Sequence, residues 1–286
     1  MMKILITGAS GGFGQLVIND LLKSGFNIIA TSRDSEKAKM LDFYDKVEYI
    51  PYDILNSNSD INLFEFFKKP DVLIHLAWND LSNYRSELHE TLILDSHKVF
   101  INNLISNGLK NINVTGTCYE YGLQEGELFE YLDSKPTLPY PIAKNKLRLY
   151  IEDLQKIVHF NLKWIRIFYV FGETVGRKNL YTSLNEAIRN REKIFDMSGG
   201  EQIRDFLSPQ EISKLIVEIS IQTDITGIIN CCSGVPVKLK NYVQEYLQKN
   251  NSSIKLNFGI YPYANYEPMT CWGSTEKLKL IHPIDM

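Results

Sequence analysis

The chain opens with ILITGASGGFG at residues 4–14, and its fold class follows from this segment. The apolar run 4–6 predicts a short buried strand, which breaks into a glycine-rich turn. Apolar residues then return at helical spacing, at Leu16, Val17, Leu21 and Leu22. The segment is therefore predicted to form a strand, a glycine turn and a helix.

Three glycines in this turn suit the close approach of a phosphate-bearing ligand. Gly8 permits a tight turn, Gly11 lets the backbone approach a pyrophosphate, and Gly14 lets the helix pack closely on the strand. The N-terminus of the following helix then faces the phosphates. The segment predicts a dinucleotide site whose contacts are Gly8, Ser10, Gly11, Gly12, Phe13 and Gly14.

The glycines follow the spacing Gly-x-x-Gly-x-x-Gly, which resembles the extended short-chain dehydrogenase/reductase family of the NAD-dependent epimerase/dehydratase type. The resemblance implies an α/β fold, a Rossmann-like doubly wound parallel sheet with a smaller C-terminal substrate-binding cap. It implies a dinucleotide-binding domain over residues 1–168, with 207–232 returning to the sheet. Residues 169–206 and 233–286 would form the cap.

The end of the second predicted strand, 27–31, bears on the choice of cofactor. An NAD site uses a carboxylate there to hold the ribose hydroxyls, whereas an NADP site uses a cation. Ser32 occupies the carboxylate position and Arg33 follows it, which favours NADP(H). Asp34 lies one residue further, so NAD stays possible, and the less favoured alternative for Arg33 is a solvated loop residue.

Two further strand ends carry predicted cofactor contacts. Strand 47–50 leads to Asp53, and an Asp at this place in the resembled family accepts from the adenine amine, although it could equally be a cap. Strand 71–77 resembles the family's cofactor-contacting strand at its His75-x-Ala77 ending, although His75 could equally be a capped core histidine. The other contacts predicted here are Ile54, Leu76, Ala77 and Trp78.

Tyr140 and Lys144 lie four residues apart at the start of a helix predicted over 146–158, so their side chains share one face. A free tyrosine has a pKa of about 10 and needs a nearby cation to exchange a proton at neutral pH. Lys144 supplies that cation and would also hold the nicotinamide ribose. Thr117 follows the predicted strand 111–115. It would hydrogen-bond the substrate oxygen, as the resembled family's catalytic Ser or Thr does. Thr115 is the runner-up for this role and a predicted cofactor contact, as are Tyr140 and Lys144.

The residues after Thr117 separate the possible reactions. The resembled dehydratases carry an Asp-Glu pair there to expel water, whereas this chain has Cys118 and Tyr119, so dehydration is disfavoured. Glu120 lies one position too late to replace the missing base, and Cys118 could be a proton shuttle or a packing residue. The resemblance also implies that Arg204 grips the nucleotide diphosphate or, alternatively, pairs with Asp205. The predicted substrate contacts are Thr117, Cys118, Tyr119, Tyr169 and Arg204.

The segment 84–107 lacks Gly and Pro and has apolar residues at helical spacing, which predicts one long helix. In the resembled family this helix pairs with a second subunit, so a homodimer is expected. The family usually has an Asn here that supports the catalytic groups, and the aligned residue is Asp95. The tail 259–273, rich in Tyr and Pro, is expected to belong to the substrate cap.

Composition limits the other possibilities. A hydrophobic fraction of 44% and a charged fraction of 23% are typical of a globular protein, and a net charge of −3 argues against nucleic acid as a partner. No apolar run approaches the roughly 18 residues of a membrane span. The four cysteines show no metal-ligand spacing, so no metal is predicted and a cytoplasmic location is expected.

The resemblance and the residues together favour a reductase that uses NADPH to convert an NDP-4-keto-6-deoxyhexose, preferably dTDP-linked, into the 6-deoxyhexose. An NAD-dependent nucleotide-sugar 4-epimerase is the alternative, since it too needs only hydride transfer and one proton. An NADP-binding redox-sensing regulator without catalysis is a third hypothesis, although such a protein would not need Thr117, Tyr140 and Lys144.

Overall fold

A computed structural model describes residues 2–57, 60–173 and 179–281. Its central feature is a seven-stranded parallel sheet, accompanied by short strands in separate pairs. The strands are β1 Lys3–Thr7, β2 Asn27–Thr31, β3 Glu48–Tyr49, β4 Val72–His75, β5 Asn111–Thr117, β6 Gly126–Leu128, β7 Asn161–Ile167, β8 Tyr169–Val170, β9 Ile194–Asp196, β10 Ile203–Arg204, β11 Phe206–Leu207, β12 Gly227–Cys231, β13 Val237–Lys238, β14 Lys255–Asn257 and β15 Cys271–Gly273. The central sheet has the order β12-β7-β5-β4-β1-β2-β3.

Helices connect the strands and cover both faces of the sheet. They are α1 Gly12–Lys23, α2 Ser35–Lys39, α3 Leu63–Phe66, α4 Leu92–Ser106, α5 Pro139–Gln155, α6 Leu180–Arg189, α7 Pro209–Ile221, α8 Leu239–Lys249 and α9 Glu276–Ile281. Over the ranges that the structure describes, none of these helices is long and apolar enough to cross a membrane.

Strand β1 shows how the sheet is buried on both faces. Leu5 belongs to a core shared with α3, α4 and α5, whereas Ile4 and Ile6 belong to a core shared with α1 and α7. Successive side chains of a strand point to opposite faces, so each face needs apolar residues and the strands read as continuous apolar runs. The predicted α/β fold with a doubly wound parallel sheet is confirmed.

The first turn requires glycine at two positions. Gly8 has φ +69°, and a Cβ atom there would lie 2.9 Å from the Ala77 backbone nitrogen. A Cβ atom on Gly14 would lie 2.2 Å from the Gly8 carbonyl oxygen, because α1 packs against the turn at this point. A larger residue at either place would push apart the turn, the helix and strand β4.

The predicted long helix over 84–107 is wrong in its first part. Helix α4 begins at Leu92, after Thr91 with a non-helical φ of −112° and ψ of −107°, and a short 3-10 turn covers Glu87–His89. Tertiary hydrogen bonds replace the helical ones, since the Tyr84 carbonyl accepts from the Tyr140 backbone N–H at 3.1 Å. The apolar spacing was misleading because Leu88 and Leu92 are exposed.

A second, smaller core lies outside the central sheet. Helices α6 and α8 contribute Leu184, Val243 and Leu247 to it, together with Met197 and Ile254. The strand pair β14–β9 packs against this core through Leu256 and Phe195. Three further pairs, β10–β13, β11–β8 and β15–β6, also lie outside the central sheet. Helix α7 and strand β12 return to the main sheet, where β12 pairs with β7. The division into domain and cap by residue ranges stays a prediction.

Candidate active site

The sheet opens into two adjoining cavities beside the glycine turn and the end of β5. The first, of about 720 Å³, lies over the glycine turn, and the second, of about 540 Å³, is lined by the end of β5 and the start of α5. Phe13, Leu76 and Trp78 line both cavities, so the two form one groove. Ligands of open α/β sheets bind at the carboxyl ends of the strands.

The first cavity gathers most of the predicted cofactor contacts. Helix α1 begins there with no side-chain cap and no acidic residue in its first turn, so its backbone N–H groups are left for an anionic ligand. Gly11 and Gly12 line this cavity without side chains, which suits the close approach of a pyrophosphate. The predicted contacts that line this cavity are Gly8, Ser10, Gly11, Gly12, Phe13, Gly14, Ser32, Arg33, Asp53, Ile54, Leu76, Ala77 and Trp78.

The end of β2 presents cations to this cavity. Arg33 and Lys37 line it, and the sequence analysis had not identified Lys37. The Ser32 hydroxyl lies 2.9 Å from the Tyr49 hydroxyl oxygen. Asp34 caps α2 instead, because its Oδ1 accepts from the Lys37 backbone N–H at 2.9 Å. The carboxylate that left NAD possible is thus engaged in a helix cap.

Asp53 lines the first cavity and also caps a local turn. Its Oδ1 accepts from the Leu55 backbone N–H and its Oδ2 from the Asn56 side-chain amide, each at 3.1 Å. The capping alternative raised by the sequence is therefore present in the structure. Its contact with adenine stays a prediction.

The second cavity brings together the three predicted catalytic residues, Thr117, Tyr140 and Lys144. Helix α5 begins at Pro139, earlier than predicted, which places Tyr140 and Lys144 in its first two turns. The Lys144 ammonium donates to the Thr115 carbonyl at 2.8 Å and lies 4.0 Å from the centre of the Trp78 ring. A carbonyl and an aromatic face therefore hold this buried cation in place.

The structure distinguishes the two threonines of β5. The Thr115 hydroxyl donates to the His75 carbonyl at 3.2 Å, so its proton is engaged within the sheet. The Thr117 oxygen accepts from the Tyr119 backbone N–H at 3.3 Å, which leaves its hydroxyl proton to donate. Thr117 is the better placed of the two to hydrogen-bond a substrate oxygen.

Aromatic rings surround Tyr140, and the sequence analysis did not find all of them. The Tyr84 ring stacks on the Tyr140 ring, with centres 4.9 Å apart and an interplanar angle of 18°. The ring centres of Trp78 and His89 lie 6.2 Å and 5.4 Å from the centre of the Tyr140 ring. Trp78 also donates from its indole nitrogen to His89 Nδ1 at 3.1 Å. These contacts restrict the orientation of the Tyr140 phenol.

Two neutral histidines lie behind Trp78. Burial and the Lys144 charge lower the pKa of His75 to about 3 and lower the pKa of His97 well below its usual range. His75 Nε2 lies 2.7 Å from His97 Nδ1, so the pair shares a hydrogen bond. Asp95 faces away, exposed and paired with Lys98, so helix α4 presents His97 to the interior in its place. His75 is a core histidine, the second of the two sequence interpretations.

Glu120 is a buried structural residue. Its carboxylate accepts from the Thr117 backbone N–H at 2.9 Å, the Trp164 indole N–H at 3.0 Å and Arg166 Nε at 3.1 Å. Both members of the Glu120–Arg166 ion pair have fully buried side chains. Glu120 therefore joins the ends of β5 and β7, and it has no free position from which to replace the base that the chain lacks.

The two residues after Thr117 line the second cavity as protonated groups. Burial raises the pKa of the Cys118 thiol and of the Tyr119 phenol well above their usual ranges. A thiol held protonated is a poor base, which favours a packing role for Cys118. All four cysteines are buried and free, and the described part of the chain contains no group of three or more His, Cys, Asp or Glu able to hold a metal ion.

Tyr169 and Arg204 line the second cavity, as predicted for substrate contacts. The Arg204 guanidinium lies 4.9 Å from the centre of the Tyr169 ring and pairs with Glu267 at 3.0 Å. Asp205, the alternative partner from the sequence, instead accepts from the Ser233 and Gly234 backbone N–H groups, each at 2.8 Å. The role of Arg204 toward a diphosphate stays a prediction.

Comparison with known proteins decides the family. The model of the NAD dependent epimerase/dehydratase family matches residues 4–232. The chain belongs to this family. It is 31% identical over 274 residues to the dTDP-6-deoxy-L-talose 4-dehydrogenase (NAD(+)) of Aggregatibacter actinomycetemcomitans, covering 96% of this chain and 100% of that protein. It is also 22% identical to the CDP-abequose synthase of Salmonella muenchen, covering 96% and 90% of the two chains.

Solved structures of the epimerase/dehydratase family share the fold. The NAD dependent NDP-hexosamine 5,6-dehydratase TunA superposes with a TM-score of 0.83 at 18% identity, covering 100% of this chain and 92% of that one. The UDP-glucuronic acid 4-epimerase of Bacillus cereus, in complex with UDP-glucuronic acid and NAD, superposes with a TM-score of 0.82 at 20% identity. This match covers 99% of this chain and 94% of that one. The predicted class, an enzyme of the extended short-chain dehydrogenase/reductase family, is confirmed.

Replacing Glu120 by Ala is expected to destabilise the protein by about 3–5 kcal/mol, because it leaves the buried Arg166 guanidinium without its counter-charge. Denaturant unfolding of the variant and of the wild type measures this difference. The matched control is Glu127→Ala, which removes an exposed carboxylate nearby and should change stability by less than about 0.5 kcal/mol. Equal stabilities for the two variants would show that the Glu120 network contributes little.

Proposed function

We propose that this protein transfers hydride between a nicotinamide cofactor and C4 of a nucleotide-linked 6-deoxyhexose, preferably dTDP-linked, and that it works as the 4-keto reductase. The observation that carries the proposal is the meeting of Thr117, Tyr140 and Lys144 in one cavity that adjoins the glycine-turn cavity. The similarity to a dTDP-6-deoxy-L-talose 4-dehydrogenase supports the choice of sugar.

The named relative and the proposed reductase carry out the same chemistry in opposite directions. Oxidation of a C4 hydroxyl and reduction of a C4 ketone are the two directions of one hydride transfer. The ratio of oxidised to reduced cofactor determines which direction dominates. The proposal of a reductase is thus compatible with a relative named for dehydrogenation.

The three side chains have separate roles in this proposal. Bound nicotinamide supplies or accepts the hydride. Tyr140 gives a proton to the C4 oxygen as the ketone is reduced, and the Lys144 ammonium stabilises the phenolate that remains. Thr117 donates a hydrogen bond to the same oxygen, where negative charge develops in the transition state, and keeps its proton. Trp78 and Tyr84 exclude water from Tyr140 by packing against its ring.

Dehydration is disfavoured by the same cavity. Removal of water from a sugar needs an acid and a base beside the hydride-transfer site, and the positions after Thr117 are occupied by protonated Cys118 and Tyr119. Glu120, the nearest carboxylate in sequence, is committed to Trp164 and Arg166. Reduction or epimerisation needs neither group.

The direct test combines the purified protein with each cofactor and a panel of nucleotide-linked sugars, while the absorbance of reduced nicotinamide is followed. We expect stoichiometric consumption of NADPH with a dTDP-4-keto-6-deoxyhexose and formation of the reduced cofactor with the corresponding 6-deoxyhexose. Protein that retains NAD and interconverts two hydroxylated sugars without added cofactor would establish the epimerase instead. Cofactor binding without any turnover would favour the regulator.

Tyr140→Phe is expected to lower turnover by about a hundredfold to ten-thousandfold, because it removes the proton donor and keeps the ring. Cofactor affinity, measured by fluorescence titration, should stay within about twofold, since the aromatic ring and Lys144, the predicted ribose contact, are retained. Tyr131→Phe, at a tyrosine that is 78% exposed, is the matched control and should behave as wild type. A Tyr140→Phe enzyme with a tenth or more of the wild-type rate would exclude Tyr140 as the acid.

We further propose that the cofactor is NADPH. Arg33 and Lys37 line the first cavity at the end of β2, and the carboxylate of Asp34 is engaged in capping α2. Two cations without a competing carboxylate suit a ribose 2′-phosphate. The proposal differs from the NAD(+) printed in the name of the Aggregatibacter relative, so it needs its own test.

Arg33→Ala is therefore expected to weaken the binding of NADPH by about ten- to a hundredfold, because a charge-assisted hydrogen bond to the extra phosphate is lost. The affinity for NADH should change little. Isothermal titration of both cofactors measures the two constants. Arg189→Ala, at an exposed arginine on α6, is the control for the loss of one positive charge. Equal losses for NADPH and NADH would contradict the phosphate role and favour NAD.

We also propose that two copies of the chain associate through the outer face of α4 and α5. Leu92 and Val99 on α4 and Leu149 on α5 are exposed apolar residues, and the two helices are neighbours, with Lys98 5.7 Å from the Tyr150 ring centre. Light scattering should give the mass of a dimer for the wild type and of a monomer for Val99→Glu. Leu280→Glu, at an exposed leucine on α9, should leave the mass unchanged, and a monomeric wild type would refute the proposal.

A cytoplasmic location completes the proposal. Nicotinamide cofactors and nucleotide sugars are cytoplasmic metabolites, and the four cysteines of the chain are free. Cell fractionation with an antibody against the protein tests this location.

A further inference from the structure

The Glu267 carboxylate lies in the second cavity and receives three hydrogen bonds from the cavity wall. Tyr119 Oη donates to Glu267 Oε1 at 3.0 Å. Tyr169 Oη and Arg204 Nη2 donate to Oε2 at 3.3 and 3.0 Å. The sequence placed Glu267 in the Tyr- and Pro-rich tail and gave it no individual role. In the structure this residue joins three of the predicted substrate contacts.

Within the described part of the chain, one acceptor position of this carboxylate is open. An ionised carboxylate offers about four acceptor positions, two on each oxygen. Oε2 receives two donors, whereas Oε1 receives only the Tyr119 hydroxyl among the residues that the structure describes. The Glu267 side chain is 19% exposed and lines the same cavity as Thr117 and Tyr140.

The hydrogen bonds around Glu267 show that its carboxylate acts as a hydrogen-bond acceptor. Burial raises the pKa of Tyr119 and of Tyr169 well above the usual range, so both phenols keep their protons and donate to the carboxylate. A ligand that meets its open position must therefore bring a hydrogen-bond donor.

The surrounding structure holds the carboxylate in place. Arg204 Nη1 donates to the Ile203 carbonyl at 2.9 Å and to the Met269 carbonyl at 3.2 Å. The Met269 backbone N–H in turn donates to Glu125 Oε1 at 3.0 Å. Because its partners are fixed, Glu267 needs little reordering to receive a ligand. The ion pair also neutralises Arg204, so this corner of the cavity suits an uncharged part of the substrate.

We propose that Glu267 accepts a hydrogen bond from a ring hydroxyl of the bound sugar and thereby selects the sugar. The inference rests on the proposed function and adds the group that recognises the hexose. In a 6-deoxyhexose joined to its nucleotide through C1 and reacting at C4, the available hydroxyls are those on C2 and C3. A sugar without the donor leaves the carboxylate unpaired, which a site built for hydrogen bonding rejects strongly.

The test measures how wild type and Glu267→Gln bind a dTDP-linked 6-deoxyhexose and its 2-fluoro and 3-fluoro analogues. Fluorine keeps the size of the hydroxyl but cannot donate a hydrogen bond. Isothermal titration in the presence of saturating reduced cofactor gives each affinity without turnover, because the hydroxylated sugar and the reduced cofactor cannot exchange a hydride. Glu125→Gln is the matched control, since it makes the same change at an exposed glutamate just before β6 and keeps the oxygen that accepts from the Met269 backbone N–H. Thermal unfolding of each variant verifies its fold.

We expect one fluoro analogue to bind wild type and Glu125→Gln about ten- to a hundredfold more weakly than the parent sugar, the effect of losing a bond to a charged acceptor. The same analogue should lose only about two- to fivefold in affinity on Glu267→Gln, because the amide oxygen that remains accepts a weaker, uncharged hydrogen bond. The position of that fluorine identifies the hydroxyl.

Two results would overturn the inference, and they differ in whether the proposed function is also overturned. In the first, wild type binds and converts the parent sugar, but each analogue loses the same factor in affinity on wild type and on Glu267→Gln. Glu267 then does not contact the sugar, and the proposed function stands. If wild type binds none of the nucleotide-linked sugars, the proposed function falls together with this inference.

Discussion

Strand β5 pairs in parallel with β4 on one side and with β7 on the other, and it ends at Thr117. Parallel pairing brings the carboxyl ends of these strands to one edge of the sheet, where the cavities open. The buried Glu120–Arg166 pair then joins the end of β5 to β7. Moving the strand end would separate two buried charges, so the position of Thr117 depends on this pair.

The sequence was sufficient to predict those parts of the structure that depend on local, periodic patterns. The glycine turn was predictable in part because Gly14 meets Gly8 and Ala9, only a few residues away, whereas the approach of Leu76 and Ala77 to Gly8 depends on the tertiary fold. Tyr140 and Lys144 were predictable because a four-residue spacing places both on one helix face. The start of α5 was predicted too late because Pro139 and Pro141 resemble helix breakers, whereas proline is tolerated in a first helical turn.

The remaining site residues depend on contacts between distant parts of the chain. Glu267 meets Tyr119 across 148 residues of sequence, and neither residue has a local pattern that indicates the other. Tyr84 reaches Tyr140 only because the segment before α4 is not helical, against its apolar spacing. Lys37 lines the first cavity from a short helix that Asp34 caps, a detail of side-chain geometry that composition does not encode.

The pairing of β15 with β6 has a consequence for the order in which the protein is made. The residues that line the first cavity all lie between Gly8 and Ile93, whereas the second cavity includes Glu267. Strand β15, at Cys271–Gly273, fastens the segment after Glu267 to residues Gly126–Leu128. On the ribosome, the surface proposed to bind the cofactor is therefore synthesised first and the surface proposed to bind the sugar last. A nascent chain interrupted before residue 267 has its glycine turn and its Tyr140, but lacks the carboxylate proposed to recognise the sugar.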